Sequence, residues 1–456
     1  MTTVKATKYS HRFLARIVIE VKTPLAVGSG EKDIITDALV ATDVNGLPYI
    51  PGTSIAGVFR SMIGEEKARE IFGYQDKDGH GSEVIFSEAK ILNSKGTVID
   101  GLSIDAIESD ELLKEYKELP IRQHVKINGK GVTNKAGKFD EQIVFAGTRF
   151  CFEIEMLSDG GNHQSFEHVL SQLNKKDFRL GSGTRSGFGE IEVVGLNTKV
   201  LNLKEEKDLE LYLSKSSRLS STWEGWKNEI VNKESTQSTW IEYKLTLQPE
   251  DFFLFGSGFG DEDADMTPVK ARKVEWRNGT GILSNDMVLI PATSVKGALS
   301  HRVAFHWNKL NNYFAGNPQA ATGKDNEAVR LLFGSEGERV NGKMINQLRG
   351  HLIFSDVIEA KPVTDKLLNH VSIDRFTGGA MDGALFSEKT TYGKGHTFEM
   401  TIFADKKILE SNETVKAALE SALIDICKGL LPLGGGVNRG NGVFKGSLSY
   451  NGEVIF

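Results

Sequence analysis

Residues 13–30 read FLARIVIEVKTPLAVGSG, and residues 240–258 read WIEYKLTLQPEDFFLFGSG. Each stretch alternates apolar and polar side chains before a Gly-Ser-Gly turn, which is the pattern of a half-buried strand that ends in a loop. A long-period repeat of this kind sets the architecture in which every later motif must lie. The chain is therefore predicted to be an internal duplication.

The repeat continues through a segment that leads into a helix. Residues 45–54 (NGLPYIPGTS) match residues 285–294 (NDMVLIPATS) without gaps, and each segment predicts a turn, a short strand and a proline followed by a helix. The Thr-Ser pairs at 53–54 and 293–294 are the candidate N-caps, because their hydroxyl oxygens can accept from free amides of the first helical turn.

Three more pairs of motifs keep the same order. The offset between matching residues is 228 at the Gly-Ser-Gly turns, 240 at the prolines, 261 at a Phe-Gly step and 253 at the terminal glycine loops, and these changes indicate loop insertions and deletions in diverged copies. The matching segments are 71–73 (IFG) with 332–334 (LFG), 85–88 (IFSE) with 353–356 (IFSD), and 180–189 (LGSGTRSGFG) with 433–442 (LGGGVNRGNG).

Strands outnumber helices in each half, and a second helix is predicted near residues 166–173 and 415–428. A β-α-β-β-α-β unit with long insertions fits this order. We therefore predict an α+β fold of two tandem ferredoxin-like (RRM-like) domains, residues 1–200 and 240–456. The charged and then serine-rich residues 201–239 are predicted to form a partly helical surface connector.

The composition and charge are typical of a large globular protein. With 456 residues, 39% hydrophobic and 25% charged, the chain can build a large core and is not disorder-prone. The net charge is −6, so a nucleic-acid partner would have to bind local basic patches. Cys151 and Cys427 are too few for a disulfide framework or a zinc site. Without a signal core or a spanning segment, we expect a cytoplasmic protein with no membrane partner.

The ordered motifs resemble those of the repeat-associated mysterious protein (RAMP) superfamily, specifically the backbone subunits of type III CRISPR effector complexes. The resemblance rests on the Gly-Ser-Gly loop, a downstream aspartate, the segments IPGTSIAGVFR and IPATSVKGALSHR, and the terminal glycine loops. It covers nearly the whole chain apart from the connector. Two such modules in one polypeptide look like the fused subunits of type III-D-like effectors. The resemblance implies CRISPR guide RNA, target RNA and other type III effector subunits as partners.

Aspartates recur at one spacing, GSGxxDxxxD, in both halves. They are Asp33 and Asp37 in the first half and Asp261 and Asp265 in the second. The resemblance implies that Asp37 and Asp265 cut target RNA with a weakly bound Mg²⁺ or Mn²⁺, since a carboxylate can hold the cation or take a proton from a 2′-hydroxyl. Asp33 and Asp261 are further catalytic candidates or turn residues. A gapless alignment that runs backwards from residue 285 instead places Arg277 opposite Asp37, which would leave the second module silent.

Basic residues near the glycine loops and on two hairpins are candidates for RNA binding. In the glycine loops, backbone amides can approach a phosphate, and each loop carries an arginine that we interpret as one recurring position. The hairpin at 122–138 is basic, whereas its counterpart at 371–386 is largely apolar. In the family such a hairpin acts as a thumb that wedges into the guide–target duplex. The candidates are Arg60, Arg122, Lys126, Lys130, Arg185, Lys296, Arg302, Arg375 and Arg439.

Other functions stay open from the sequence. The chain could be a non-catalytic guide-RNA scaffold, a guide-processing endoribonuclease that uses His or Tyr, or a binding protein for an anionic ligand. His124, His301 and His370 lie near basic segments, but isolated histidines are more often structural than catalytic. The sequence contains no HExxH, Walker or GxSxG motif and so does not favour a metalloprotease, an NTPase or a serine hydrolase.

Overall fold

The computed structural model describes most of the chain. The described ranges are residues 9–33, 36–75, 79–128, 132–160, 163–229, 239–340 and 343–456. No helix in these ranges is both long and apolar enough to cross a lipid bilayer. Cys151 and Cys427 are free and buried.

The first module and the connector carry the following elements. They are β1 (His11–Val21), α1 (Gly52–Ile63), α2 (Glu65–Phe72), β2 (Val84–Phe86), β3 (Lys90–Ile91), α3 (Ile104–Glu108), α4 (Glu111–Glu115), β4 (Ile121–Ile127), β5 (Thr133–Gln142), β6 (Arg149–Ser158), α5 (His163–Ser171), a 3₁₀ turn (Gln172–Asn174), β7 (Ile191–Asn202), α6 (Glu206–Leu213) and β8 (Lys227–Asn228).

The second module carries the following elements, and many of them are short strands. They are β9 (Trp240–Pro249), β10 (Phe252–Phe253), β11 (Lys270–Ala271), β12 (Val274–Arg277), β13 (Thr280–Leu283), β14 (Met287–Ile290), α7 (Ala292–Leu310), a 3₁₀ turn (Gly323–Asp325), α8 (Glu327–Phe333), β15 (Gly334–Ser335), β16 (Glu338–Val340), β17 (Lys343–Ile345), β18 (Leu348–Arg349), β19 (Leu352–Phe354), β20 (Val357–Glu359), β21 (Thr364–Ile373), β22 (Ala380–Tyr392), β23 (Phe398–Asp405), α9 (Lys406–Ser411), α10 (Glu413–Cys427), a 3₁₀ turn (Val437–Arg439), β24 (Phe444–Tyr450) and β25 (Glu453–Val454).

Each module has a central antiparallel sheet with the same strand order. The order is β2-β6-β1-β7 in the first module and β19-β23-β9-β24 in the second. Counted along each ferredoxin-like unit, both orders are 2-3-1-4, so the predicted fold class is confirmed. The alternation of β1 produces the core, because Phe13, Ile17 and the other odd-numbered residues from 13 to 21 lie in one apolar cluster with residues of α1 and α5.

The connector covers the opposite face of the first sheet. Tyr212 of α6 donates to Glu155 at 2.7 Å, and the Lys215 ammonium lies 2.6 Å from Glu153. The Arg16 guanidinium donates to the Ser221 carbonyl at 2.6 Å and lies 5.2 Å from the centre of the Trp226 ring. The predicted partly helical connector therefore packs as a cover on the sheet.

Helices α1 and α7 begin one residue before the Thr-Ser pairs. Pro51 and Pro291 are the N-cap residues, and neither helix has a side-chain cap from its own N-cap. The predicted caps at 53–54 and 293–294 are therefore wrong. In the second module Asp356 supplies the cap instead, since its Oδ1 accepts from the Ala292 amide at 2.8 Å.

The two modules meet at a buried polar contact, which we call the seam. Arg122 of the first module donates to Asp356 Oδ2 of the second at 2.9 Å, and the two side chains are only 7% and 1% exposed. Arg179 donates to the Phe354 carbonyl at 3.1 Å and to Ser355 Oγ at 2.8 Å. The prediction that Arg122 binds RNA is therefore wrong, because its guanidinium is buried in the seam.

Glycine permits the close approach at the seam. Gly187 of the first glycine loop has a positive φ of 118°, and a Cβ there would lie 2.5 Å from Asp356 Oδ1 and 2.8 Å from the Ala292 Cβ. A larger residue would push the glycine loop away from the start of α7. The glycine at this place is thus explained by docking between modules.

A hairpin of the second module, β12–β13, holds the first module, and we call it the clasp. The Val274 amide donates to the Ala146 carbonyl at 2.7 Å, and the Trp276 indole donates to the Gly147 carbonyl at 2.8 Å. The Arg149 guanidinium lies 4.0 Å from the centre of the Trp276 ring, a cation–π contact. The clasp occupies the place where the offset between the two halves changes from 228 to 240.

Substitution of Arg122 tests the seam. Arg122→Leu leaves the buried Asp356 carboxylate without its cation, and removing one partner of a buried ion pair costs about 3–5 kcal/mol. We expect denaturant unfolding to show a loss of that size. Arg277→Leu, an exposed arginine on the clasp, should change the free energy of unfolding by no more than about 0.5 kcal/mol. Equal stabilities for the two variants would contradict the seam as described.

Candidate nucleic-acid interface

The two aspartate loops have the same backbone pairing. Gly28 pairs with Val40 and Gly256 with Pro268, which keeps the offset at 228 through both loops. The Ser29 amide donates to the Leu39 carbonyl at 2.9 Å, and residue 257 makes the matching bond to residue 267 at 2.8 Å. The described residues of the two loops therefore occupy equivalent positions at this constant offset.

Asp37 and Asp265 occupy one equivalent position against a hairpin strand. Asp37 Oδ2 accepts from the Asp140 amide of β5 at 3.1 Å, and Asp265 Oδ2 accepts from the Ser387 amide of β22 at 2.8 Å. Both aspartates are exposed. The following residues, 38 and 266, pair in parallel with residues 141 and 388. Each aspartate is thus oriented by the backbone of its own hairpin.

Arg277 does not lie at the position of Asp37. It belongs to the clasp, where its guanidinium pairs with Glu275 at 2.5 Å. The gapless alignment backwards from residue 285 is therefore wrong, because it treats the inserted clasp as part of the repeat. The second module retains an aspartate at the candidate site.

The hydrogen bonds around Asp265 keep it ionised. The Ser387 amide and then the Ser387 hydroxyl, at 3.1 Å, lower the pKa of Asp265. A carboxylate that accepts such bonds stays charged at neutral pH. The site therefore presents an oriented negative charge at the surface.

Asp33 and Asp261 close the turns that precede the candidate aspartates. Asp33 Oδ1 accepts from the Thr36 amide at 2.5 Å, and Asp261 Oδ1 accepts from the Ala264 amide at 2.9 Å. Lys389 bonds to Asp261 and lowers its pKa. We assign Asp33 and Asp261 to the turns, which is one of the two roles that the sequence left open for them.

The donor set at each loop suits a cation shared with RNA. Among the described residues no group of three His, Cys, Asp or Glu side chains could hold a metal ion. Each module offers an exposed carboxylate that a hairpin amide orients, Asp37 or Asp265. Mg²⁺ is commonly bound through one or two carboxylates plus phosphates and water, so these residues fit a cation that RNA helps to hold.

A His-Phe-Glu group is duplicated on the two hairpins. His124 stacks on Phe139 with ring centres 4.7 Å apart, and its Nε2 lies 2.8 Å from Glu141. In the second module His370 stacks on residue 386 at 4.8 Å, and its Nε2 lies 3.1 Å from residue 388. This group was not predicted from the sequence, although the recurring F-x-E at 139–141 and 386–388 is a signal for it.

The two glycine loops also share one hydrogen-bond pattern. The Leu180 amide donates to the Gly189 carbonyl at 3.0 Å, and residue 433 makes the same bond to residue 442 at 2.9 Å. At the constant offset of 253, Ser186 corresponds to Arg439 and Arg185 corresponds to Asn438. The interpretation of Arg185 and Arg439 as one recurring position is therefore wrong by one residue.

Arg439 is engaged within the second module. Its guanidinium pairs with Glu388, which is fully buried, and lies 5.3 Å from the centre of the Phe386 ring. Asn441 adds a longer contact of 3.5 Å to the same carboxylate. Arg439 therefore neutralises a buried acid within its own module, and its contact with RNA stays a prediction.

Arg185 has the character of an anion ligand. Its guanidinium lies 4.9 Å from the centre of the Trp240 ring, and its Nε and Nη1 atoms are buried with no hydrogen-bond partner. Burial and then the neighbouring Arg349 lower the pKa of Arg185 to about 10. A buried donor without a partner is costly, and an anion would satisfy it.

A basic cavity borders the first glycine loop. Its volume is about 260 Å³, and its lining includes Thr184, Lys175, Arg179 and Arg349. Asp177 is its acidic lining residue. Arg179 is paired with Glu190, so Lys175 and Arg349 against Asp177 leave this cavity a small excess of positive charge beside the seam.

Of the remaining basic candidates, three form contacts within the protein, two are exposed and one lies outside the described residues. Arg60 donates to the Gly73 carbonyl at 2.9 Å, Lys296 donates to Ser186 Oγ at 3.0 Å, and Arg302 pairs with Asp425. These contacts give the three residues partners within the protein, and their contact with RNA stays a prediction. Lys126 is exposed and 3.0 Å from Glu336, and Arg375 is exposed on the second hairpin. Lys130 lies outside the described residues.

The family follows from the comparison with known proteins. Residues 18–192 and 274–445 match the model of the RAMP superfamily. The chain belongs to the RAMP superfamily. A similar protein is the "CRISPR system Cms endoribonuclease Csm3" of Methanothermobacter thermautotrophicus, 30% identical over 190 residues that cover 38% of this chain and 75% of the relative. The two RAMP matches correspond to the two modules, and the second begins at the clasp.

Removal of Arg439 tests its structural role in this RAMP module. Arg439→Ala leaves Glu388 buried without its guanidinium, and an uncompensated buried group costs about 1–3 kcal/mol. We expect a loss of that size in denaturant unfolding of the chain without RNA. Asn438→Ala, at the exposed neighbouring position, should have little effect. An Arg439→Ala variant of unchanged stability but weaker RNA binding would contradict the assignment.

Proposed function

We propose that this RAMP protein is a backbone subunit of a type III CRISPR effector that binds guide RNA and cuts complementary target RNA at Asp37 and Asp265. The observation that carries the proposal is the duplicated placement of an exposed aspartate on the amide of a hairpin strand. Similarity to an endoribonuclease of a CRISPR system supports the same function.

The basic cavity and Arg185 are proposed to bind phosphates of the guide. The two unpartnered guanidinium nitrogens of Arg185 supply donors, and Lys175 and Arg349 supply charge, whereas Arg179 pairs with Glu190 at 2.9 Å. Contacts to phosphate carry no sequence information, which suits a subunit that must accept any guide. Arg375 and Lys126, both exposed on the hairpins, are proposed as further phosphate contacts.

The tip of the second hairpin is proposed to separate bases of the guide–target duplex. Phe376 is fully exposed, and Met381 and Leu385 are 51% and 71% exposed. Apolar side chains that insert between base steps unstack them and kink the duplex. The second module would thereby present a splayed target nucleotide beside the Asp265 loop.

The reaction at each aspartate is proposed to be cleavage of the RNA backbone. Mg²⁺, when bound, stabilises the charge that develops on the phosphate and activates the attacking oxygen. Asp37 and Asp265 would hold the cation with RNA phosphates, and the hairpin amides at 140 and 387 hold each carboxylate in place. If neither aspartate affects cleavage, the chain is instead a non-catalytic scaffold that binds guide RNA.

Other effector subunits are proposed to dock on the uncovered end of the first module. Ile85 corresponds to Ile353 in strand pairing, yet Ile85 is 53% exposed whereas Ile353 is 1% exposed. Glu88 likewise corresponds to the buried Asp356 and has a 48% exposed side chain. The first module therefore exposes the face that the second module buries at the seam, as a subunit with a neighbour would.

The two aspartates should control separate cuts. In the assembled complex with matched target RNA and Mg²⁺, Asp37→Ala is expected to remove one product and Asp265→Ala another, because each carboxylate serves its own module. Guide binding should persist, since these groups act in the transition state more than in guide affinity. Products are resolved on a sequencing gel, with Glu399→Gln, an exposed residue of β23, as the control.

Three outcomes separate the possibilities. A chelator should stop both cuts without unfolding the protein, because the cation is shared with RNA. An unchanged product ladder in the double variant would assign this chain a scaffold role. Loss of both products in each single variant would contradict independent sites.

Arg185 should contribute one phosphate contact. Arg185→Leu is expected to lower the slope of log K against log salt by about 0.7, the value for one contact to a single strand. The stability of the RNA-free chain should not fall, because the guanidinium has two buried nitrogens without partners. Arg277→Leu should leave both quantities unchanged. The same salt slope in the variant and the parent would contradict the assignment.

A further inference from the structure

We infer that Glu141 and Glu388 are positioning residues that fix the hairpin against the glycine loop, and thereby hold Asp37 and Asp265 in place. The inference rests on the proposed function, and it concerns two residues that do not touch the reacting atoms. In both modules the His-Phe-Glu group lies next to the amide that binds the candidate aspartate, and this repeated placement is the basis of the inference.

The second module shows the connection most completely. Glu388 is fully buried and accepts from three partners: His370 on the opposite strand, and Arg439 and Asn441 from the glycine loop. The preceding residue, Ser387, donates its amide to Asp265. One strand segment thus joins the hairpin, the glycine loop and the candidate site.

The first module repeats the arrangement with different neighbours. Glu141 contacts His124 at 2.8 Å and accepts from Ser182 Oγ of the glycine loop at 3.5 Å. The preceding residue, Asp140, donates its amide to Asp37. The connection to the glycine loop is weaker here, because a neutral hydroxyl, that of Ser182, contacts the glutamate where the second module has the Arg439 guanidinium.

The His, Phe and Glu of this group are the same in both modules, whereas neighbouring positions differ. On the same strand, residue 140 is Asp where residue 387 is Ser, and residue 142 is Gln where residue 389 is Lys. The opposite strand has Arg122 where the second module has Leu368. A common structural requirement explains why His, Phe and Glu remain while their neighbours differ.

Strand geometry couples Glu388 to the amide that binds Asp265. Successive side chains point to opposite faces, so residues 386 and 388 clamp His370 on one face while the amide between them belongs to residue 387. If the carboxylate at 388 lost its partners, the strand would shift against the glycine loop and carry that amide with it. A displacement of about 1 Å at a reacting group can lower a rate by about 100-fold.

The test compares Glu388→Ala with Glu388→Gln in the second module. Glu388→Ala should reduce the single-turnover rate of the Asp265 product by about tenfold or more, with unchanged target affinity and an unchanged Asp37 product. Glu388→Gln keeps an acceptor oxygen and should retain most of the rate. Glu141→Ala and Glu141→Gln should give the mirror result at the Asp37 product. Glu399→Gln is the matched control on another strand.

Amide hydrogen exchange provides a readout that does not need cleavage. Exchange at residues 263–267 should rise in Glu388→Ala and stay at the parent level in Glu388→Gln and in the control. If Glu388→Ala fails to fold, His370→Leu removes the clamp from the other side and should give the same pattern.

The outcomes that overturn the inference are distinct. Equal loss of rate in the Ala and Gln variants, with parent-like exchange at residues 263–267, would mean that the charge of Glu388 and not the position of the strand controls cleavage. Parent-like exchange and parent-like rates in Glu388→Ala would remove its positioning role. A parent complex that makes neither product refutes the proposed function alone, and hydrogen exchange then decides whether Glu388 holds the loop.

Discussion

The Asp356 carboxylate is the contact on which the arrangement of the two modules depends. One oxygen accepts from the first amide of α7, and the other accepts from Arg122 of the preceding module. The same side chain therefore starts a helix and binds a neighbouring domain. Because a buried carboxylate requires both kinds of partner, the glycine loop must approach closely, and Gly187 allows it to do so.

The two modules have diverged at the seam while keeping the candidate site. Leu368 stands where the first module has Arg122, and Pro432 stands where it has Arg179. The second module therefore lacks the arginines with which the first module forms the seam. By contrast, the aspartate loop, the hairpin amide and the His-Phe-Glu group are present in both. The residues that form the seam therefore differ between the two modules, whereas the geometry around each aspartate is the same in both.

Local patterns in the sequence predicted the fold because strand alternation and ordered motifs survive divergence. They also gave the equivalence of Asp37 and Asp265, since no insertion interrupts that loop. Burial at the seam could not be predicted, because Arg122 and Asp356 are 234 positions apart. The clasp was missed for a related reason: an insertion that binds another module has no counterpart in the repeat. The helix caps were wrong because a distant aspartate supplies one of them.

The measurement that tests the account most directly is the identity of the RNA held by the complex. The chain is produced with a CRISPR array and the remaining effector subunits, and the RNA that co-purifies is sequenced at both ends. The account predicts small RNAs with one uniform, repeat-derived 5′ end and varied internal sequence, because the contacts are to phosphate and ribose. A complex without RNA, or with random fragments of cellular RNA, would contradict it.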